Sequence, residues 1–133
     1  MIIAIDGPAG SGKSTIAKLL AKELGYTYID TGAMYRSAAL KLLRLKINLE
    51  NEEEIIKVLE NTHIILEDSK VILDGEDVSS LIRTEEIGNA ASIIARYPEV
   101  RKWMVEKQRE LGKLAKDVVI EGRDAGTKIF PEA

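Results

Sequence analysis

Three features of the 133-residue sequence predict an α/β fold. A short continuous apolar run, MIIAI, is followed by a glycine-rich turn and then by an amphipathic helical stretch. A second β-rich run, YTYID, leads at once into another helical stretch, so strand and helix alternate. A third run, DVVIEG, returns to the same apolar character late in the chain. Unbroken apolar strands of this kind are buried on both faces, as in a parallel sheet flanked by helices.

The elements follow in order. Between Lys13 and Leu24, Ile16, Leu19, Leu20 and Leu24 recur at helical spacing, which predicts a helix with these side chains toward the core, and Gly25 is its stop signal. After the Tyr26–Asp30 strand, Thr31-Gly32 opens AMYRSAALKLLRLK, with Met34, Ala38, Leu42 and Leu45 along one side. Asn51 and Glu54 resemble a capping box, with Asn for the usual Ser or Thr, and start the helix EEEIIKVLE. The period then changes. HIIL at 63–66 and VIL at 71–73 read as a hairpin across Glu67-Asp68-Ser69-Lys70, and Asp74-Gly75 signals another turn. Thr84 begins a helix with Glu85 and Glu86 in its first turn, where acids complement the helix dipole. Pro98 opens the last helix, with Val100, Trp103, Met104, Leu111 and Leu114 toward the core.

Composition narrows the function. The chain has the length of one domain with one core. Lys plus Arg total 19 against 22 Asp plus Glu, a formal charge of −3, with the basic residues scattered, so no duplex nucleic-acid surface is expected. The absence of cysteine excludes disulfides and thiolate metal sites and suits a reducing compartment, so the expected location is cytoplasmic. No apolar run approaches the ~20 residues of a membrane helix, and no membrane partner is expected. His63, the single histidine, has no partner motif and is assigned a structural role.

The chemistry lies in Gly7-Pro8-Ala9-Gly10-Ser11-Gly12-Lys13-Ser14, which satisfies the phosphate-loop pattern GxxxxGK(S/T). Its glycines let successive backbone N–H groups curl around phosphate oxygens, and the helix that follows adds partial positive charge. Lys13 is expected to reach the β and γ phosphates of ATP, Ser14 to hold Mg²⁺, and Thr15 to complete the loop. The expected fold is therefore a phosphate-loop NTPase-type parallel sheet flanked by helices. A GTPase would carry an NKxD-type element and a large ATPase a longer chain, which leaves a small-molecule kinase.

Five segments, IDGPAGSGKST, IDTGAMYR, DGEDVSSLIRTEEI, NAASIIA and EGRDAGTKIFP, occur in the order in which bacterial cytidylate kinases carry similar ones. The chain thus resembles that family of nucleoside monophosphate kinases. The resemblance implies a phosphate-loop core over 1–133, a monophosphate-binding region at about 31–110, and a small β insert at about 62–83. It implies ATP and CMP or dCMP as partners, with Mg²⁺ as cofactor and a monomeric parent. Thr31, Tyr35, Arg36 and Arg123 fall near the acceptor nucleotide, as suits hydroxyl donors and the rigid donor fork of arginine. Ser92, Arg101 and Asp124 match positions that read cytosine, whose exocyclic amine suits a carboxylate. Lys13, Arg123 and Asp30 are the expected catalytic residues, with Asp30 either orienting the acceptor or the Mg²⁺ waters or capping the next helix. Glu121 stands where many relatives have Asp, at the strand end facing the metal, and is expected with Ser14 at Mg²⁺.

The family pattern continues beyond GTKIFPEA into a further strand, an arginine-bearing lid and an adenine-holding segment. The resemblance therefore implies a C-terminally incomplete fold without its lid and last core strands. Such a stretch is expected to be marginal alone, to associate or gain order from the rest of the fold, and to bind CMP weakly without full turnover. Two rival functions remain: another small-molecule phosphate-loop kinase, and a nucleotide-binding module that does not turn over.

Overall fold

A computed structural model describes residues 2–6, 13–25, 27–67, 70–115 and 118–122. The chain divides into two compact units, one formed by Met1–Thr31 with Val105–Ala133 and the other by Gly32–Met104.

In the first unit, β1 (Ile2–Asp6), α1 (Lys13–Leu24), β2 (Thr27–Asp30) and β6 (Val118–Gly122) follow the predicted α/β order. The three strands form one sheet in the order β1-β6-β2, with both pairings parallel. The last of the three to appear in the sequence therefore occupies the middle. Its Val119 is fully buried and packs with Ala17 and Ala21 of α1, flanked by half-buried Ile3, Ile5, Leu20 and Tyr28. The helix lies on the sheet through alanines because small side chains bring its backbone close. Lys18 places its ammonium 5.9 Å from the centre of the Tyr28 ring, within cation–π range.

This packing corrects the expected orientation of α1. Ile16, Leu19 and Leu24 are 59%, 60% and 45% exposed, and Leu20 alone of the predicted apolar set is partly covered. The helix bounds agree with the prediction, but its buried stripe is Ala17–Ala21, one residue out of phase with the larger apolar side chains. Periodicity located the helix, whereas close contact with the sheet selected the small residues.

In the second unit, α2 spans Thr31–Arg44 and starts directly after β2, without a connecting loop. Met34, Ala38 and Leu42 are fully buried as predicted, joined by Ala33, Ser37, Ala39 and Leu40. Leu45 is a correction, lying past the helix end and 53% exposed. Helix α3 (Glu52–Glu60) starts at Asn51, whose Oδ1 accepts from the Glu54 N–H at 3.1 Å. The reciprocal half of a capping box is replaced. The Asn51 N–H donates to the Asn48 carbonyl, and Asn51 Nδ2 reaches Glu54 Oε2 at 3.4 Å. Ile55 and Leu59 bury the opposite face of α3.

Strands β3 (Ile64–Glu67), β4 (Lys70–Leu73) and β5 (Glu76–Asp77) form a small antiparallel sheet in that order. Asp68 and Ser69 of the predicted turn lie outside the described residues, while Glu67 and Lys70 pair across the ladder. Between β4 and β5, Asp74 and Gly75 both take positive φ, +47° and +86°, as a two-residue turn of the mirror-image type I requires. Asp tolerates this region better than most residues, and Gly has no Cβ to obstruct it. Asp74 is also fastened: its N–H donates to the His63 carbonyl and its Oδ1 accepts from the His63 N–H, both at 2.8 Å. His63 thus serves structure through its backbone.

A turn of 3₁₀ helix (Leu81–Arg83) leads into α4 (Glu85–Ile94), where the Thr84 hydroxyl caps the Ile87 N–H at 3.3 Å. In α5 (Pro98–Ala115), Val100 and Met104 are fully buried, while Trp103 and Leu111 are only half-buried; Leu114 lies outside the described side chains. The Tyr97 hydroxyl, just before α5, donates to the Leu49 carbonyl at 2.6 Å and fixes the segment that leads from α2 to α3.

Candidate functional site

The parallel register sets the first part of the site. Glu121 lies level with Ile5 on one side and Asp30 on the other, and Gly122 pairs with Asp6. Asp30 and Glu121 therefore stand together at the carboxyl ends of adjacent parallel strands. In open α/β sheets this is the edge at which ligands bind. Lys13, Ser14 and Thr15 form the first turn of α1, and no acidic residue in that turn offsets the partial positive charge of the helix N-terminus. Gly7, Pro8, Ala9, Gly10, Ser11 and Gly12 lie outside the described residues, as do Arg123 and Asp124.

Helix α2 carries the next group. Thr31 is its first residue and is buried, Tyr35 is half-buried, and Arg36 is exposed. Ser92 is exposed on α4, and its hydroxyl donates to the Gly88 carbonyl one turn back at 3.1 Å. Such a back-bond engages the hydroxyl proton and leaves the oxygen lone pairs able to accept. Arg101 is exposed on the first turn of α5, and its N–H donates to the Tyr97 carbonyl. The structure thus brings Asp30 and Glu121 level, and sets Thr31, Tyr35 and Arg36 on one helix. Ser92 and Arg101 fall on two different helices.

A serine hydroxyl and a carboxylate supply hard oxygen donors, so Ser14 and Glu121 suit Mg²⁺ by donor chemistry. Among the described residues no group of three or more His, Cys, Asp or Glu is placed to hold a metal ion.

Two features escaped the sequence reading. The first is Gln108 on α5, fully buried, with no hydrogen-bond partner at Nε2 among the described atoms. The signal was its spacing, because Val100, Met104 and Gln108 follow one another at four-residue steps along the buried side of the helix. The second is a set of ion pairs between α2 and the small sheet. Lys41 Nζ lies 2.6 Å from Asp74 Oδ2. Arg44 holds Glu76 with both terminal guanidinium nitrogens, Nη1 donating to Oε1 at 2.7 Å and Nη2 to Oε2 at 3.2 Å. Its sequence signal is the pairing of a basic last turn in α2 with an acid on each side of Gly75.

These contacts shift proton affinities. Burial pushes the Asp74 carboxyl upward, but the hydrogen bonds from Lys41 and the His63 N–H, with the Lys41 charge, outweigh it and hold the group below its ordinary value. The Arg44 hydrogen bonds lower Glu76 and are the main reason that Arg44 itself is raised. Asp77 is lowered chiefly by the Ser79 hydroxyl, which donates to it at 2.6 Å.

A parallel three-stranded sheet, with β2 running directly into α2 and acids level at the carboxyl ends of two adjacent strands, defines an α/β protein, a class whose ligands bind at that edge. The cytidylate kinase family model matches residues 3–133, and the chain belongs to that family. It is 55% identical over 131 residues to the cytidylate kinase of Caldanaerobacter subterraneus subsp. tengcongensis, covering 98% of this chain and 58% of that protein. The cytidylate kinase of Desulfitobacterium hafniense is also 55% identical, over 135 residues, with 98% and 57% covered. That of Clostridioides difficile is 48% identical over 133 residues, with 100% and 61% covered. The chain therefore spans less than two thirds of the length of each of these relatives.

Proposed function

We propose that the whole protein transfers the γ-phosphoryl group of ATP to CMP or dCMP, giving ADP and CDP or dCDP. The observation that carries this is family membership over 3–133, together with a glycine motif lying between a parallel strand and a helix.

In this reading, backbone N–H groups of Gly7 to Gly12 cradle the donor phosphates, Lys13 neutralises charge on the β and γ groups, and Thr15 completes the loop. Ser14 and Glu121 hold Mg²⁺, which when bound supplies further charge neutralisation to the phosphates. Arg36 and Arg123 grip the acceptor phosphate in bidentate fashion, with Thr31 and Tyr35 as neutral donors. Asp124 accepts from the cytosine amine, and Ser92 and Arg101 hold the rest of the base edge. Asp30, level with Glu121, orients the acceptor. Transfer is in line and needs no covalent intermediate, because positioning and charge neutralisation carry phosphoryl transfer. Residues 31–110 act as the acceptor-binding region with 62–83 as its insert, in a cytoplasmic, monomeric enzyme.

Steady-state assays of a protein spanning the full length of the relatives, with CMP, dCMP, UMP, AMP and shikimate as acceptors, test this. Preference for a cytidine monophosphate is expected. Preference for another acceptor assigns a different small-molecule kinase, and tight ATP binding without transfer assigns a binding module.

A further inference from the structure

The ion pairs at the end of α2 involve none of the residues assigned above to a substrate, yet they share a helix with Tyr35 and Arg36. The helix buries Ala33, Ser37, Ala38 and Ala39 among its larger residues Met34, Leu40 and Leu42. Beside this packing, contacts at the end of the helix help to set its register along its axis.

The grip is specific. Lys41 and Arg44, one turn apart in the last turn of α2, take the two acids that flank Gly75. Lys41 also donates to the Asn61 carbonyl at the end of α3, at 3.3 Å. Asp74 is held in turn by its two hydrogen bonds with His63. The C-terminal turn of α2 is thereby tied to a hairpin turn whose own backbone is fixed, and a rigid helix carries that registration to its other end.

We propose that Lys41, Arg44, Asp74 and Glu76 are positioning residues for the acceptor nucleotide, setting through α2 where Tyr35 and Arg36 meet its phosphate. This rests on the acceptor-binding role proposed above for those two residues. The small sheet is then the fixed post against which the phosphate-gripping helix is registered.

The test uses Asp74→Asn and Glu76→Gln, singly and together. Asn retains an oxygen for the His63 N–H and tolerates positive φ, so the change removes the ion pair and keeps the turn. Exposed pairs of this type act modestly and are screened by solvent, so each change alone should have a small effect. The double variant should weaken CMP affinity by roughly five- to twentyfold in calorimetry, leave ATP affinity unchanged, and still unfold cooperatively, within several degrees of the wild-type temperature. Amide exchange in residues 33–37 should quicken. Exchanging the charges, Arg44→Glu with Glu76→Arg, should restore both readouts relative to either single change. Wild-type CMP affinity and exchange in the double variant would overturn the proposal, and so would equal losses of ATP and CMP affinity. If the wild-type protein fails to bind CMP, the acceptor assignment fails, and amide exchange still decides whether the ion pairs register α2.

Discussion

The two units encode their parts of the protein differently. The Met1–Thr31 and Val105–Ala133 unit draws on two distant stretches of chain, and its described core is built on Ala17, Ala21 and Val119. The Gly32–Met104 unit is continuous in sequence and fully buries larger side chains, among them Met34, Leu42, Ile55, Leu59, Ile94 and Met104. In the first, the chemistry proposed above rests on a local motif, GPAGSGKS, whose residues are contiguous in sequence. In the second, the side chains proposed to meet the acceptor are spread over separate helices, and packing has to deliver them. Motifs state a function, whereas packing makes it geometrically available.

The largest effect should come from the motif. Lys13→Ala, in a protein of the relatives' full length, should lower phosphoryl transfer by at least ~100-fold, the scale of removing one donor aimed at developing charge. CMP affinity measured by calorimetry should stay near wild type. Equal loss of both would mean that the motif also serves the acceptor, and the contrast between units would break.

Packing is tested next. Leu59→Ala removes a fully buried side chain and should cost about 2–5 kcal/mol in denaturant unfolding. CMP affinity should fall near the unfolding transition while the sequence of every assigned site residue is intact. A variant that loses less than 1 kcal/mol would place Leu59 outside the cooperative core.

Base choice is a smaller effect. If Asp124 accepts from the cytosine amine as proposed, Asp124→Ala should narrow the preference for CMP over UMP by roughly 1–3 kcal/mol, because a site that pairs that amine discriminates against a base lacking it. Parallel kinetic comparison of the two acceptors measures it, and an unchanged ratio would return Asp124 to structure.

The smallest concerns the hairpin turn. Because Asp74 is lowered in the folded state, its pairing favours folding above the ordinary carboxylate range and fades as pH falls through the lowered value. The thermal midpoints of wild type and Asp74→Asn should differ by at most about 2–4 °C at neutral pH and converge in acid. A difference that grows on acidification contradicts the sign of the shift.

Much of this was legible because it is local. The bounds of α1 and α3, the Thr84 cap and the Asp74-Gly75 turn each follow from a few adjacent residues. The exposed face of α1 was misread because periodicity reports an apolar stripe without saying what approaches it. Ile16 and Leu19 satisfy the helical period, but the sheet takes Ala17 and Ala21. The middle position of β6 was not legible, since parallel strands carry no turn to fix their order. Nor were the Lys41–Asp74 and Arg44–Glu76 pairs, whose partners are joined only by the tertiary fold. Within the site, the alignment of Asp30 with Glu121 required the register.

The placement of β6 between β1 and β2 also bears on the order of events during synthesis. A ribosome releases β1 and β2 long before Val118, yet within the described sheet each of them bonds only to β6. The segment Gly32–Met104 emerges whole in the meantime, with its hairpin and helices adjacent in sequence and little loop entropy to overcome. This favours an order in which the middle segment folds early and β6, when it emerges, joins β1 and β2 in the described sheet. Pulsed amide labelling during refolding should find β3 and β4 protected before β1, and simultaneous protection would mean that the two units fold as one.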